Sequence, residues 1–130
     1  MKTYFLQLFL IMGILALLGL ESKGQDAKRI YRIAKIKVDP KQLGKYKLAL
    51  QEQMNAAIKL ESGVLSYTAV ADKKDTSLIT ILEVYASTEA YQSHILTPHF
   101  KKYKEAVKDM VLSLELIDTE LVVSAKKKDF

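Results

Sequence analysis

From Lys41 to Leu60 the apolar residues recur with the period of an α-helix, and on both sides of that stretch the period drops to two. Leu43, Tyr46, Leu50, Met54, Ala57 and Ile58 make one stripe over about five turns, with lysine and glutamine opposite. Ahead of it, Arg29 to Val38 alternates as a strand, with Ile30, Ala34, Ile36 and Val38 on one side. Asp39-Pro40 stops that strand; Asp39 can cap the helix and Pro40 suits its first position. Behind the helix, Glu61-Ser62-Gly63 ends it, with Gly63 suited to a left-handed terminating conformation. Val64 to Ala71 and Leu78 to Tyr85 read as two strands joined by the polar turn "DKKDTS", a hairpin. Ser87 offers an N-cap, with Glu89 in the first turn, for a short helix through about Ile95. Thr97-Pro98 breaks and restarts the helical pattern, and Phe100, Tyr103, Val107 and Met110 make the next buried stripe. Leu112 to Val123 alternates as a last strand. This β-α-β-β-α-β order predicts an α+β fold, the ferredoxin-like sandwich, with an antiparallel four-stranded sheet and helices on one face. Ile79 and Ile81 alternate with Leu78, Thr80 and Leu82, so the sheet's second face is apolar too. A bare apolar face of that size calls for cover, and a symmetric homodimer is the simplest form of it.

The 130 residues suit one domain, yet part of the 49% apolar content lies outside it. Lys2, an apolar run from Phe5 to Leu20, and Ser22 and Gly24 before Gln25 describe a secretory signal peptide over residues 1–24. The competing reading is a retained membrane anchor, but the run is 16 residues with Gln7 inside it, short of the roughly 18 expected of a spanning helix. The expected product is an exported protein, periplasmic or secreted, with a flexible lead at 25–28, a domain at 29–123 and a basic tail at 124–130. Cleavage removes Lys2, Lys23 and Glu21 and leaves 18 basic and 14 acidic side chains. These are scattered apart from "KKKDF" at the end, so nothing predicts a nucleic-acid surface. With no cysteine there is no disulfide, lipid-anchored cysteine or thiol nucleophile.

Both histidines fall in "EAYQSHILTPHF", either side of the Thr97-Pro98 break. His94 shares a helix face with Tyr91, so it is either a satisfied structural residue or a catalyst. His99 is either a helix-start surface residue or its partner. A helix that stops and restarts between them can turn both imidazoles toward one space, where a ring titrating near neutrality can move a proton. Glu83 and Tyr85 continue the face of Ile79 and Ile81. A carboxylate there is either salt-bridged at an edge or interface, or it orients a histidine or a substrate hydroxyl. Two histidines, with only Glu83 as a distant third ligand, predict no metal site. The five glycines make no phosphate loop or dinucleotide fingerprint, so no cofactor is expected.

The ordered set Glu61-Ser62-Gly63-Val64 before a Tyr-containing strand, Glu83-Val84-Tyr85, Ser87-Thr88-Glu89-Ala90-Tyr91, His94 and Thr97-Pro98-His99-Phe100 resembles the antibiotic biosynthesis monooxygenase domain. The resemblance spans about residues 29–122. It implies a small dimeric α+β barrel, and it is nearest to the quinol monooxygenase and autoinducer-2-degrading branches. The haem-degrading branch uses an Asn, Trp and His set, whereas this chain has no Trp and its only Asn is Asn55. The resemblance implies a cofactor-free reaction in which His94, assisted by Glu83 or His99, deprotonates a phenolic, quinol-type or polyketide-like substrate whose anion reacts with O₂. Tyr67, Tyr85, Tyr91 and Phe100 would bind that substrate. Two alternatives are a proton-shuttling isomerase of a small carbonyl compound and a non-catalytic dimeric binding or stress module; export weighs against an isomerase of a cytosolic phosphorylated signal.

Overall fold

The computed structural model describes residues 28–130; the expected signal sequence and most of the lead lie outside the described residues. Strand β1 (Ile30–Val38) leads through a 3-10 turn (Pro40–Gln42) into helix α1 (Leu43–Leu60). Strands β2 (Val64–Ala71) and β3 (Leu78–Tyr85), helices α2 (Thr88–His94) and α3 (Pro98–Val107), and strand β4 (Val111–Thr119) follow. The sheet order is β2-β3-β1-β4 with every neighbouring pair antiparallel, the ferredoxin-like arrangement the sequence pattern predicts.

Local signals act where the sequence places them. Asp39 Oδ1 accepts from the Lys41 N–H at 3.0 Å, and Ser87 Oγ accepts from the Ala90 N–H at 3.1 Å. Thr97 does more than precede a proline. Its hydroxyl donates to the His94 carbonyl at 2.7 Å and accepts from the Phe100 N–H at 3.3 Å, clamping the end of α2 to the start of α3.

Gly63 departs from expectation, since no described glycine has a positive φ. Glu61 ends α1 in an extended conformation with its N–H on the Ala57 carbonyl. Gly63 is needed for space instead: a Cβ on it would lie 2.6 Å from the Ala90 Cβ, so its bare backbone lets α2 pack against the α1–β2 corner.

Ala34, Ile36, Val38, Ile79 and Ile81 on the sheet pack against Tyr46, Leu50 and Val107 on the helices. Full burial of each larger aliphatic contributes roughly 1.5–3 kcal/mol. A smaller cluster of Ala57, Val64 and Tyr85 sits at the other end, next to α2. On the second face of the sheet, Leu78 and Leu82 are 44% and 42% exposed. The last strand is shorter than its alternation predicts, ending at Thr119 rather than Val123. Thr119 pairs with Tyr31, one residue from the start of β1, so residues beyond it have no neighbouring strand among the described residues, and Val122 is 93% exposed. Among the described residues no helix is long and apolar enough to cross a membrane.

Candidate functional site

The clamp at Thr97 leaves His94 as the last residue of α2 and His99 as the second of α3. Their ring centroids are 6.2 Å apart, as the broken helix predicts. They converge on Glu61: His94 Nδ1 lies 2.9 Å and His99 Nε2 2.6 Å from the same Glu61 Oε2. The Gly63–Ala90 contact holds α2 against this corner. On the other side of the His94 ring, Nε2 lies 2.8 Å from the Tyr67 hydroxyl and 3.2 Å from the Gln53 side-chain nitrogen. The Tyr67 and Tyr85 hydroxyls are 2.7 Å apart, and Tyr85 donates to Glu83 Oε2 at 2.8 Å. Hydrogen bonds thus run without a gap from Glu83 to His99 across four elements.

A cavity of about 360 Å³ opens between the sheet and helices α1 and α3. Its volume is that of a small-molecule site. Ala34 and Ile81 contribute apolar surface, Tyr91, Phe100 and Tyr103 aromatic surface, and Gln53, Tyr67, Tyr85 and Glu83 a polar end. Arg32 also reaches it, donating to Asp118 through Nε and Nη2 with its guanidinium 3.9 Å from the Tyr91 ring centroid.

The four expected substrate-binding residues, Tyr67, Tyr85, Tyr91 and Phe100, line this cavity, and so does Glu83. His94 and His99 do not. His94, only 1% exposed, stands behind Tyr67, and His99 borders a separate hollow of about 60 Å³ beside Glu52 and Lys102. The expected pairing of Glu83 with a histidine is also corrected. Glu61 bonds both imidazoles, and two phenols separate Glu83 from His94, because side chains of β3 meet the tyrosine of β2 first.

Burial governs the titration of the polar end. It raises Glu83 above the ordinary carboxylate range, against the Tyr85 hydrogen bond and the charges of His94 and Arg32. Burial also pushes the Tyr67 and Tyr85 phenols up; for Tyr85 the neighbouring Glu83 charge adds to the effect. Both phenols therefore stay protonated at neutral pH, able to give and take hydrogen bonds without ionising. Among the described residues every buried side-chain nitrogen and oxygen has a partner.

Glu61 also supplies the third ligand atom that the sequence did not offer for a metal: one atom each from Glu61, His94 and His99 lie within 4.8 Å of one another. Both imidazoles, however, aim at one carboxylate oxygen, at 2.9 and 2.6 Å. Two ligand atoms on a tetrahedral zinc lie about 3.3 Å apart around a point neither occupies. The cluster has the geometry of shared protons.

Two residues of the site escape the sequence reading, and each carries a signal. Glu61 places a carboxylate at a helix C-terminus, where the dipole disfavours it, which marks it as held there by other partners. Gln53 falls in line with Tyr46, Leu50 and Ala57 and is buried with them, so it belongs to the core stripe and not to the polar side.

The antibiotic biosynthesis monooxygenase family model matches residues 29–106. Among solved structures, one from Bacteroides thetaiotaomicron VPI-5482, named as a candidate antibiotic biosynthesis monooxygenase, is 45% identical with a TM-score of 0.75, covering 78% of this chain and 97% of that one. A candidate monooxygenase from Lactobacillus acidophilus NCFM is 28% identical with a TM-score of 0.68 over 68% of this chain and 42% of its own. One from Caulobacter crescentus CB15, at 24% identity and a TM-score of 0.66 over 72% of this chain and 92% of its own, shares the fold. No curated protein matches the chain. The matched span runs from β1 into α3 and takes in every member of the Glu83-to-His99 line, so the chain belongs to the antibiotic biosynthesis monooxygenase family.

Proposed function

We propose that this protein is a cofactor-independent monooxygenase that oxidises a small phenolic, quinol-type or polyketide-like substrate with O₂. The observation that carries this reading is the cavity itself: aromatic and aliphatic walls ending in the Tyr67–Tyr85–Glu83 cluster, with a buried imidazole directly behind it. The apolar walls take the ring, and the cluster receives the hydroxyl and its proton. Loss of that proton makes the substrate an electron-rich anion. The anion passes one electron to O₂, and the resulting radical pair joins as a carbon–oxygen bond. Departure of water then leaves a quinone. One oxygen atom ends in the product and one in water, and the substrate supplies every electron. The protein's part is orientation, exclusion of water and proton transfer, with the neutral phenols donating to developing oxyanion charge.

In the same reading residues 1–24 are removed on export, and two copies pair across the face bearing Leu78 and Leu82. The alternating segment after Thr119, which pairs with no strand among the described residues, lies available to the second copy. N-terminal sequencing of the exported protein, expected to begin at Gln25, and its mass in solution, expected to be that of a dimer, check these points.

The decisive experiment follows O₂ uptake with a panel of quinols, polyphenols and anthrone-type compounds. Uptake that depends on substrate and collapses in His94→Ala supports the reading. Turnover that persists without oxygen replaces oxidation by isomerisation. Ligand-dependent stabilisation with no turnover of any panel member leaves a binding module.

A further inference from the structure

We propose that the line Glu83–Tyr85–Tyr67–His94–Glu61–His99 is a proton wire, in which Glu83 takes the substrate's proton in the cavity and His99 delivers a proton to solvent on the far side of α2. The proposal rests on the cavity being the reaction site, and it adds which group meets the substrate and where the proton goes.

The argument is one of counting hydrogens. Each phenol has one proton and each contact along the line needs one. When Tyr85 donates to an ionised Glu83, as its geometry has it, the proton between the phenols must come from Tyr67. Tyr67 then has none left for His94, so His94 Nε2 must carry a hydrogen and donate to Tyr67. When Glu83 is instead protonated and donates to Tyr85, every bond turns round: Tyr85 donates to Tyr67, and Tyr67 donates to a bare Nε2. The two states differ by one proton moved between Glu83 and His94, and in both each phenol oxygen holds one proton. No tyrosinate forms. Gln53, at 3.2 Å from the same Nε2, suits both states, since its amide can offer N–H to a bare nitrogen or, turned over, its oxygen to an N–H.

In the reaction, the substrate O–H breaks, an O–H forms at Glu83, and the substrate is left as its anion. The receiving state has Glu83 ionised and Nε2 bare, with the phenol protons on the Tyr85–Tyr67 and Tyr67–His94 contacts and the substrate hydroxyl, in place of Tyr85, donating to Glu83. From there Glu83 hands a proton to Tyr85, Tyr85 hands its own to Tyr67, and Tyr67 hands its own to His94 Nε2. The imidazolium so formed gives its Nδ1–H to the Glu61 carboxylate, Glu61 gives a proton to a bare His99 Nε2, and the other ring nitrogen of His99 releases its own to solvent. His94 is 1% exposed and cannot release the proton itself; the His99 side chain is 16% exposed and can. Each passage leaves the bonds reversed and the imidazole hydrogens on the opposite ring nitrogens, so the hydroxyls must rotate back and the imidazoles exchange tautomers before the next. His94 is thereby a relay residue that never touches substrate, consistent with its absence from the cavity wall.

The test needs no substrate. In the full mature chain, ring ¹⁵N shifts of His94 are followed against pH in the wild type, Glu83→Gln, Tyr67→Phe and the double variant. The groups facing His94 are Gln53 from α1 and Glu61 just past its end, Tyr67 from β2, Tyr85 from β3, and His99 from α3; Arg32 on β1 faces Glu83. Glu83→Gln should move the His94 titration midpoint and its tautomer balance. In the Tyr67→Phe background the same change should move them several-fold less, because the line is cut while the Coulomb field of Glu83 remains. An equal shift in both backgrounds, or none in either, overturns the wire. Tyr85→Phe cuts the line at a second point and must decouple the two ends in the same way. The shifts are read without turnover, so the wire stands or falls separately from the oxidation reaction.

Discussion

Two pairs of tyrosines are buried between the sheet and the helices, and as isolated pairs they are nearly the same object. Tyr46 and Tyr103 hold their hydroxyls 2.8 Å apart with ring centroids at 6.3 Å; Tyr67 and Tyr85 hold theirs 2.7 Å apart with centroids at 6.1 Å. Burial raises the titration of all four phenols. The difference lies at the ends. Among the described residues neither hydroxyl of the first pair has another hydrogen-bond partner, whereas the second continues to Glu83 on one side and His94 on the other. A phenol pair is a way of burying two hydroxyls with each satisfied. It becomes part of a proton path only when groups that can gain and lose a proton stand at both ends.

The largest separation between the pairs is expected in turnover. Tyr67→Phe should lower the rate of O₂ uptake about 100-fold or more, the usual worth of a proton-transfer step. Tyr46→Phe should leave it within about twofold, since a full line still reaches the cavity. Tyr46→Phe loses one hydrogen bond and Tyr67→Phe two, each about 1 kcal/mol net. If the two variants slow turnover equally, the pairs are alike after all and the Glu83–His94 connection carries no function.

In stability the ranking reverses. Tyr46 is fully buried within the main core cluster, while Tyr67 is only partly buried and borders the cavity. Tyr46→Ala should cost about 3–5 kcal/mol, as for other large aromatic truncations, and Tyr67→Ala distinctly less. Urea denaturation of both measures the difference, and a larger loss at Tyr67 would move the structural weight to the functional pair. Gly63→Ala comes next. Its new methyl meets the Ala90 Cβ at 2.6 Å, so α2 must shift, at about 1–3 kcal/mol. That shift draws His94 from Glu61, so turnover should fall along with stability, while the distant Tyr46–Tyr103 pair stays undisturbed.

The sequence reveals the two pairs unequally. Period alone gives the element order, the sheet and the inward face of β3, and the proline break foretells that His94 and His99 meet. It also picks out Tyr67, Tyr85, Tyr91 and Phe100 as cavity residues through a family resemblance. What they meet on is not legible, because Glu61 reads as part of a helix stop and its role depends on an extended residue turning back under α2. Gln53 is hidden by chemistry: a polar residue on a buried stripe counts as surface until a partner for it is known. The place of His94 behind a tyrosine depends on the depth of the β2–β3 hairpin relative to α2, which no spacing along the chain encodes.

The finest test of the comparison is the pH dependence of stability. Burial holds the folded Glu83 above the ordinary glutamate value of 4.5, so in that window the folded protein keeps a proton that the unfolded chain has released. The stability linked to Glu83 is therefore fully present below 4.5 and is lost as the pH rises through the folded value, with a slope of at most about 1.4 kcal/mol per pH unit. Glu83→Gln cannot titrate, so the wild-type advantage over it should shrink from pH 4.5 upward. Asp75 on the β2–β3 turn sets the opposite sign. Its hydrogen bonds to Lys37 and Ser77 hold it at about 2, so its contribution is present above 3.8 and lost as the pH falls through about 2. The wild-type advantage over Asp75→Asn should therefore hold at neutral pH and disappear only at the acid end. If Glu83→Gln instead tracks wild type at every pH, Glu83 ionises as freely as in the unfolded chain. The Tyr85 end of the line then holds no displaced proton, and Tyr67–Tyr85 is left with the structural role of Tyr46–Tyr103.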